Sequence, residues 1–232
     1  WGWRTRCAKQ ALSRAIRSVL PGASLYMKSE MSMTGKKIGI MGGTFDPVHY
    51  GHLLAAEEAR SHFALDQVLF IPSGQPPHKR RPGGASGGQR LSMTALAVAT
   101  NANFAVSSIE VRRAGYSYSV DTVSALLDEY GLDTGFTFIV GTDAALELPT
   151  WHEAERLLTL VDFVVAARPG FAESGLQQLP AAWRRKMTLL RMPLLEISST
   201  DIRNRVREGR PIKYLLPEAV ENYIYAEGLY RA

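Results

Sequence analysis

Apolar positions along this chain form two kinds of segment, and the two kinds alternate. Short, nearly continuous apolar runs occupy 37–41, 67–72, 104–111, 136–140, 162–167 and 188–196. Runs of this length without polar alternation read as strands covered on both faces. Between them lie longer stretches with apolar residues at helical spacing, at 52–63, 89–101, 120–130, 151–160, 200–208 and 217–227. Strands that alternate with helices predict an α/β fold, a doubly wound and mainly parallel sheet with helices on both faces. Ligands of such sheets sit beyond the carboxyl ends of the strands. The glycine turn after Met41 falls at one such end, and Gly141-Thr142-Asp143 falls at another.

One segment breaks the rhythm. Residues 73–88 are rich in Pro, Gly and Arg and carry no apolar period, so they are expected to form a long loop, functional or disordered. Within it Pro76 and Pro77 precede His78 and Lys79, and proline restricts the unbound loop. No internal repeat is visible, and no domain boundary follows residue 35. Residues 36–232 are therefore expected to form a single domain. A chain of 232 residues with 46% hydrophobic content can bury a real core. Its apolar runs fall far short of the ~20 residues a membrane helix needs, so no membrane partner is expected. The single cysteine, Cys7, excludes an internal disulfide framework and favours a cytoplasmic location.

Charge changes this picture only once it is located. The chain carries a net +5, but residues 1–35 hold six of the 27 basic residues and one of the 22 acidic ones. The remaining residues carry 21 of each and are neutral. The excess charge belongs to the leader and gives no sign of a basic face for nucleic acid. The leader begins with Trp and spreads Arg through a weakly amphipathic stretch, like a transit peptide, but has no apolar secretory core. Met27, Met31 and Met33 are plausible internal starts. An upstream extension or start-site artefact is favoured over a targeting segment or a small accessory helix, and residues 1–35 are expected to lie outside the fold.

The chemistry concentrates at 42–52, Gly-Gly-Thr-Phe-Asp-Pro-Val-His-Tyr-Gly-His. A strand runs into a glycine turn and then into two histidines at the head of a helix. Turn glycines let backbone approach an anion, and the first-turn N–H groups have no partner inside the helix. His49 and His52, three residues apart, share one side of that turn. A metal site made of His49, His52, His78 and Asp46 is the rival reading, but no Cys joins it and no Glu-bearing zincin pattern is present. A P-loop is absent, because Glu30 stands where Thr34-Gly-Lys-Lys37 would need its earlier glycine. A second phosphate candidate is Ile197-Ser-Ser-Thr-Asp-Ile-Arg203. Ser198 and Asp201 fit a capping box, and Arg203 lies one turn beyond Thr200, where a guanidinium can fork onto phosphate oxygens.

Together these two segments resemble the paired signatures of the HxGH nucleotidyltransferase superfamily, whose fold is Rossmann-like. Further segments resemble its bacterial nicotinate-nucleotide adenylyltransferase branch: Pro76-Pro-His-Lys79, Tyr118-Ser-Val-Asp-Thr122, Pro149-Thr-Trp-His152, Ala167-Arg-Pro-Gly170 and the ending 214–230. The resemblance covers about 36–230, and Ser119 departs from the Thr expected there. It implies transfer of AMP from ATP to nicotinate mononucleotide, giving nicotinate adenine dinucleotide (deamido-NAD) and pyrophosphate in NAD biosynthesis. It also implies Mg²⁺ bridging the ATP phosphates. By this resemblance His49, His52 and Arg203 are the catalytic residues. Gly42, Gly43, Thr44, Phe45, Gly141, Asp143, Ile197, Ser199 and Thr200 join them in the ATP site. Thr44, Lys79, Tyr118, Ser119 and Trp151 are expected to hold the mononucleotide. Pantetheine-phosphate adenylyltransferase, which shares both signatures, and a non-catalytic nucleotide-binding protein on the same fold are the alternatives, with a cytidylyltransferase further off. Whether the chain forms a homo-oligomer stays open.

Overall fold

The computed structural model describes residues 35–75, 83–167, 173–193 and 195–231. The leader and the Pro76-Pro-His-Lys79 segment lie outside the described residues. Six strands form one sheet: β1 (Lys37–Gly43), β2 (Gln67–Pro72), β3 (Phe104–Val106), β4 (Gly135–Gly141), β5 (Asp162–Ala167) and β6 (Met187–Arg191). Their order is β3-β2-β1-β4-β5-β6, and every pairing is parallel. The order reverses between β1 and β4, the position at which doubly wound sheets open a crevice.

The register shows how that crevice arises. β1 pairs with β4 only as far as Ile40 opposite Phe138. β1 continues along β2 to Gly43 opposite Pro72, and β4 continues along β5 to Gly141 opposite Ala166. The two central strands therefore part over their last three residues, each still held by its outer neighbour.

Helices cover both faces. α1 (Tyr50–His62), α2 (Gly87–Val98), α9 (Ser199–Arg207) and α10 (Glu218–Ala226) lie on one face; α4 (Ser119–Tyr130) and α6 (Ala154–Leu160) lie on the other. Strand residues divide between the faces with a period of two. Ile38, Ile40, Phe136 and Phe138 meet α4 and α6, whereas Met41, Val68, Phe70 and Ile139 meet the first set. The unbroken apolar runs follow from burial on both faces.

Four short helices complete the described chain: α3 (Ile109–Arg112), α5 (Thr142–Leu146), α7 (Glu173–Leu176) and α8 (Ala181–Arg184). α3 corrects the expected strand 104–111, which ends at Val106. The Ser107 hydroxyl accepts the N–H of Ile109, a local bond that competes with the strand ladder, and the chain turns into α3. A second correction concerns 151–160. A 3₁₀ turn spans Leu148–Thr150, Glu153 takes a left-handed φ of 48°, and the helix starts only at Ala154. Trp151 therefore sits on a loop. The expected run 188–196 likewise stops pairing at Arg191.

Candidate active site

β1 leaves the sheet through Gly42 and Gly43 and enters a turn that aims two imidazoles. A Cβ on Gly43 would lie 3.0 Å from the Phe45 ring, so glycine is what lets that ring fold back beside the strand end. Phe45 adopts a left-handed φ of 51° and is buried. Its ring meets His52 edge-on, 5.1 Å between centroids at 87°. The buried Phe45 ring thus supports His52.

His49 is the N-cap of α1 and His52 is its third residue. The His49 N–H donates to His52 Nδ1 at 3.3 Å. A nitrogen that accepts carries no proton, so the neutral His52 ring holds its proton on Nε2, as a donor. The two rings stack at 3.8 Å and 29°. A Cβ on Gly51 would lie 3.1 Å from His49 Cε1 and Nδ1, so the glycine between the histidines makes room for the buried His49 ring. Both imidazoles line the cleft at this helix start, whose Tyr50, His52 and Leu53 N–H groups are already bonded to the Leu215 and His49 carbonyls, so the rings are what the turn offers a polyphosphate.

The second signature packs against the first. Ser199 Oγ donates to the Pro47 carbonyl at 2.9 Å, and Arg203 Nη1 donates to the Asp46 carbonyl at 2.6 Å. These contacts join segments 152 and 157 residues apart. Ser198 Oγ accepts the Asp201 N–H at 3.1 Å, so half of the expected capping box forms. The other half is replaced by an ion pair of Asp201 with Arg205 at 2.7 Å. Arg203 also donates through Nη2 to Thr200 Oγ1 at 3.1 Å. Its fork is engaged by protein oxygens, one of them on the cleft-lining Thr200.

The crevice between β1 and β4 is a cleft of ≈ 850 Å³. Gly42, Gly43, Thr44, His49, His52, Gly141, Asp143, Ile197, Ser199 and Thr200 line it, as do Tyr118, Ser119 and Trp151. Phe45 and Arg203 do not, and Lys79 falls outside the described residues. Gly141 would gain no neighbour within 4 Å from a Cβ, so the β4 end is bare toward the cleft. At the other end the half-buried Trp151 stands edge-on to Phe138, 5.9 Å at 71°. Tyr118 lies against His152 at 4.3 Å and 33°. This arrangement offers an aromatic wall to a planar ring.

Two polar groups beneath the cleft were not legible as site residues. Arg90, on α2, is buried and donates to the carbonyls of Thr44 (2.7 Å), Gly74 (3.1 Å) and Ala85 (3.3 Å). Burial pulls its pKa down, opposed chiefly by the Asp46 charge. Asp46 is itself buried, and its Oδ1 accepts from the Ala85 N–H at 3.0 Å and the Tyr230 hydroxyl at 2.7 Å. Among the described residues no group of three or more His, Cys, Asp or Glu could hold a metal ion. The second group is Glu110, buried on α3 in the cleft wall. Burial pushes its carboxyl above the ordinary range, against hydrogen bonds led by the Thr122 hydroxyl at 2.8 Å. Arg113 donates in turn to Thr122 Oγ1 at 3.0 Å. Asp46 lies inside the first signature, and Tyr230 closes the family-like ending 214–230. The contacts of Arg90, Tyr230 and Glu110 are non-local, and no local pattern marks them.

Known proteins resemble the chain in both sequence and fold. The cytidylyltransferase-like family model matches residues 40–205. A Moorella thermoacetica protein named "probable nicotinate-nucleotide adenylyltransferase" is 52% identical over 84% of this chain and 92% of its own length. A Roseiflexus protein of the same name is 48% identical over 86% of this chain and 100% of its own. Among solved structures, Plasmodium falciparum nicotinic acid mononucleotide adenylyltransferase complexed with NaAD superposes with a TM-score of 0.70 at 21% identity. That match covers 84% of this chain and 97% of the other and shows a shared fold.

Proposed function

This chain belongs to the cytidylyltransferase-like family and, within it, to the nicotinate-nucleotide adenylyltransferases, and from that premise we infer how its residues divide the reaction. The reaction transfers AMP from ATP to nicotinate mononucleotide, releasing pyrophosphate and forming nicotinate adenine dinucleotide. The observation that carries the assignment of roles is the meeting of the two phosphate signatures at one end of a single cleft, through Ser199 with Pro47 and Arg203 with Asp46.

The nucleophile is a phosphate oxygen of the mononucleotide. With a second pKa of about 6 it is already ionised near neutral pH, so no general base is required. It attacks the α-phosphorus of ATP, the new P–O bond forms, and the bond to the β-phosphate bridge breaks to release pyrophosphate. What the protein must supply is alignment and stabilisation of charge. His52, as an Nε2–H donor, meets the charge that grows at the α-phosphate, and His49 holds the phosphates beside it. Ser199, Thr200 and the N–H groups of α9 receive the pyrophosphate end. Arg203 acts first by bracing Asp46 and Thr200. Gly141 and Asp143 face the ribose of ATP. Thr44 and Lys79 hold the mononucleotide phosphate.

A divalent cation accompanies ATP, on this reading Mg²⁺. The described residues contain no ready-made cage for one, which suits an ion carried mainly by phosphate and water. When bound, it neutralises charge on the phosphates.

Trp151 and Tyr118 take the nicotinate ring, and backbone N–H groups around Ser119 meet its carboxylate on this reading. A site built for that carboxylate rejects an acceptor that lacks it. Turnover should be compared with nicotinate mononucleotide and with its amide counterpart as acceptors. The acid should win by about 10²-fold in kcat/KM. Equal values would overturn the assignment of the acceptor end.

A further inference from the structure

We propose that Tyr230, at the end of the described chain, is a positioning residue for the phosphate-binding turn, acting through Asp46. The proposal rests on the reading of this cleft end as the ATP site. Tyr230 does not line the cleft. Its hydroxyl donates to Asp46 Oδ1 at 2.7 Å across 184 residues of sequence, in a buried setting. The same Oδ1 accepts the Ala85 N–H, so one carboxylate oxygen ties together the turn after β1, the entry to α2 and the end of the chain. The carbonyl of Asp46 accepts from Arg203. Asp46 is therefore gripped at its side chain by Tyr230 and at its backbone by α9, three residues before His49.

The rest of the setting explains why the grip matters. Arg90 braces Thr44, two residues before Asp46, through its carbonyl. Between Thr44 and His49 the chain has one left-handed residue, Phe45, and no regular structure until Tyr50. Nothing periodic fixes this turn, so its shape depends on hydrogen bonds supplied by distant segments. A carboxylate buried beside a guanidinium is a strong acceptor, and bonds to charged groups exceed neutral ones. Burial also holds the Tyr230 hydroxyl protonated by raising its pKa, with the Asp46 charge acting the same way. The donor thus persists throughout the working pH range. Loss of the O–H would let Asp46 shift and move the His49 and His52 rings, which depend on hydrogen bonding and stacking with each other.

The experiment compares Tyr230→Phe with Tyr223→Phe in the full chain. Tyr223 is equally buried, bonds to Ser92 rather than to Asp46, and belongs to α10. It serves as a measure of what losing a core hydroxyl does to stability alone. Tyr230→Phe should raise the KM for ATP or lower kcat, so that kcat/KM for ATP falls about tenfold. The KM for nicotinate mononucleotide should rise clearly less, by about twofold, because Thr44 is the one acceptor residue in this turn and Arg90 braces it independently of Tyr230. Tyr223→Phe should lower Tm without that kinetic split. In an Asp46→Asn background, where the acceptor is neutral, the Tyr230→Phe step should have a smaller effect. If Tyr230→Phe lowers Tm as Tyr223→Phe does but leaves both substrates' kinetics alone, the hydroxyl is structural only and the proposal is wrong. If both KM values rise in proportion, positioning is not confined to the ATP end, and the proposal also fails. His52→Ala separates this failure from a deeper one. Normal ATP kinetics in that variant would show that the turn is not the ATP site at all.

Discussion

At the scale of single residues, the tautomer of His52 follows from one backbone contact. Because Nδ1 accepts the His49 N–H, the ring faces the cleft as a donor, and Phe45 and His49 hold it from two sides. A fixed donor helps most where charge grows during reaction, since no reorganisation is needed at that moment. His52→Ala should therefore lower kcat by about 10²–10³ with little loss of stability, because the side chain is half-buried and lines the cleft. Steady-state kinetics beside a thermal melt checks this. Early melting with normal specific activity would make His52 a packing residue. Single residues were also where the sequence said least. His49 and His52 could be picked out because histidine pairs are rare and the spacing is local. The engagement of the Arg203 fork could not, because its partners, Asp46 and Thr200, meet it only through the fold.

At the scale of elements, the strands and long helices were nearly all legible, because burial on both faces leaves unbroken apolar runs and helices keep their own period. The misses share a cause. α3 and the shifted start of α6 are decided by hydroxyl-to-backbone bonds and one left-handed residue, which apolar periodicity does not register. The second miss has a functional consequence. Had 151–160 been one helix, Trp151 would have been a helical core residue. It instead precedes α6 on a loop, edge-on to Phe138 and exposed to the cleft. Trp151→Ala should weaken binding of the mononucleotide by about 1–3 kcal/mol, the scale of ring stacking, with ATP binding near normal. Titration of each substrate separately checks the split. A fall in stability of about 3–5 kcal/mol with unchanged acceptor binding would return Trp151 to the core.

At the scale of the whole molecule, the cleft depends on how six parallel strands end rather than on any one loop. β1 and β4 separate after Ile40 and Phe138, and both phosphate signatures and the aromatic wall converge on the gap. Every element needed to build that gap lies between Lys37 and Tyr230. Among the described residues no helix is long and apolar enough to cross a membrane. The relatives in Moorella and Roseiflexus match over 84% and 86% of this chain while 92% and 100% of their own lengths are covered. A domain of about 200 residues is thus a complete unit in those proteins. We propose that residues 1–35 stand outside the catalytic unit here, although they hold the whole net charge and the only cysteine. Deleting residues 1–32 should leave kcat and both KM values unchanged, move the isoelectric point toward neutrality, and keep the melting temperature within about a degree. The shift in isoelectric point follows from composition and tests nothing, so the melt and the kinetics decide. A melting point lower by about 2–4 °C would correspond to about 1 kcal/mol for a domain of this size. It would mean that the leader packs on the body. A kinetic defect at constant stability would mean that it reaches the cleft.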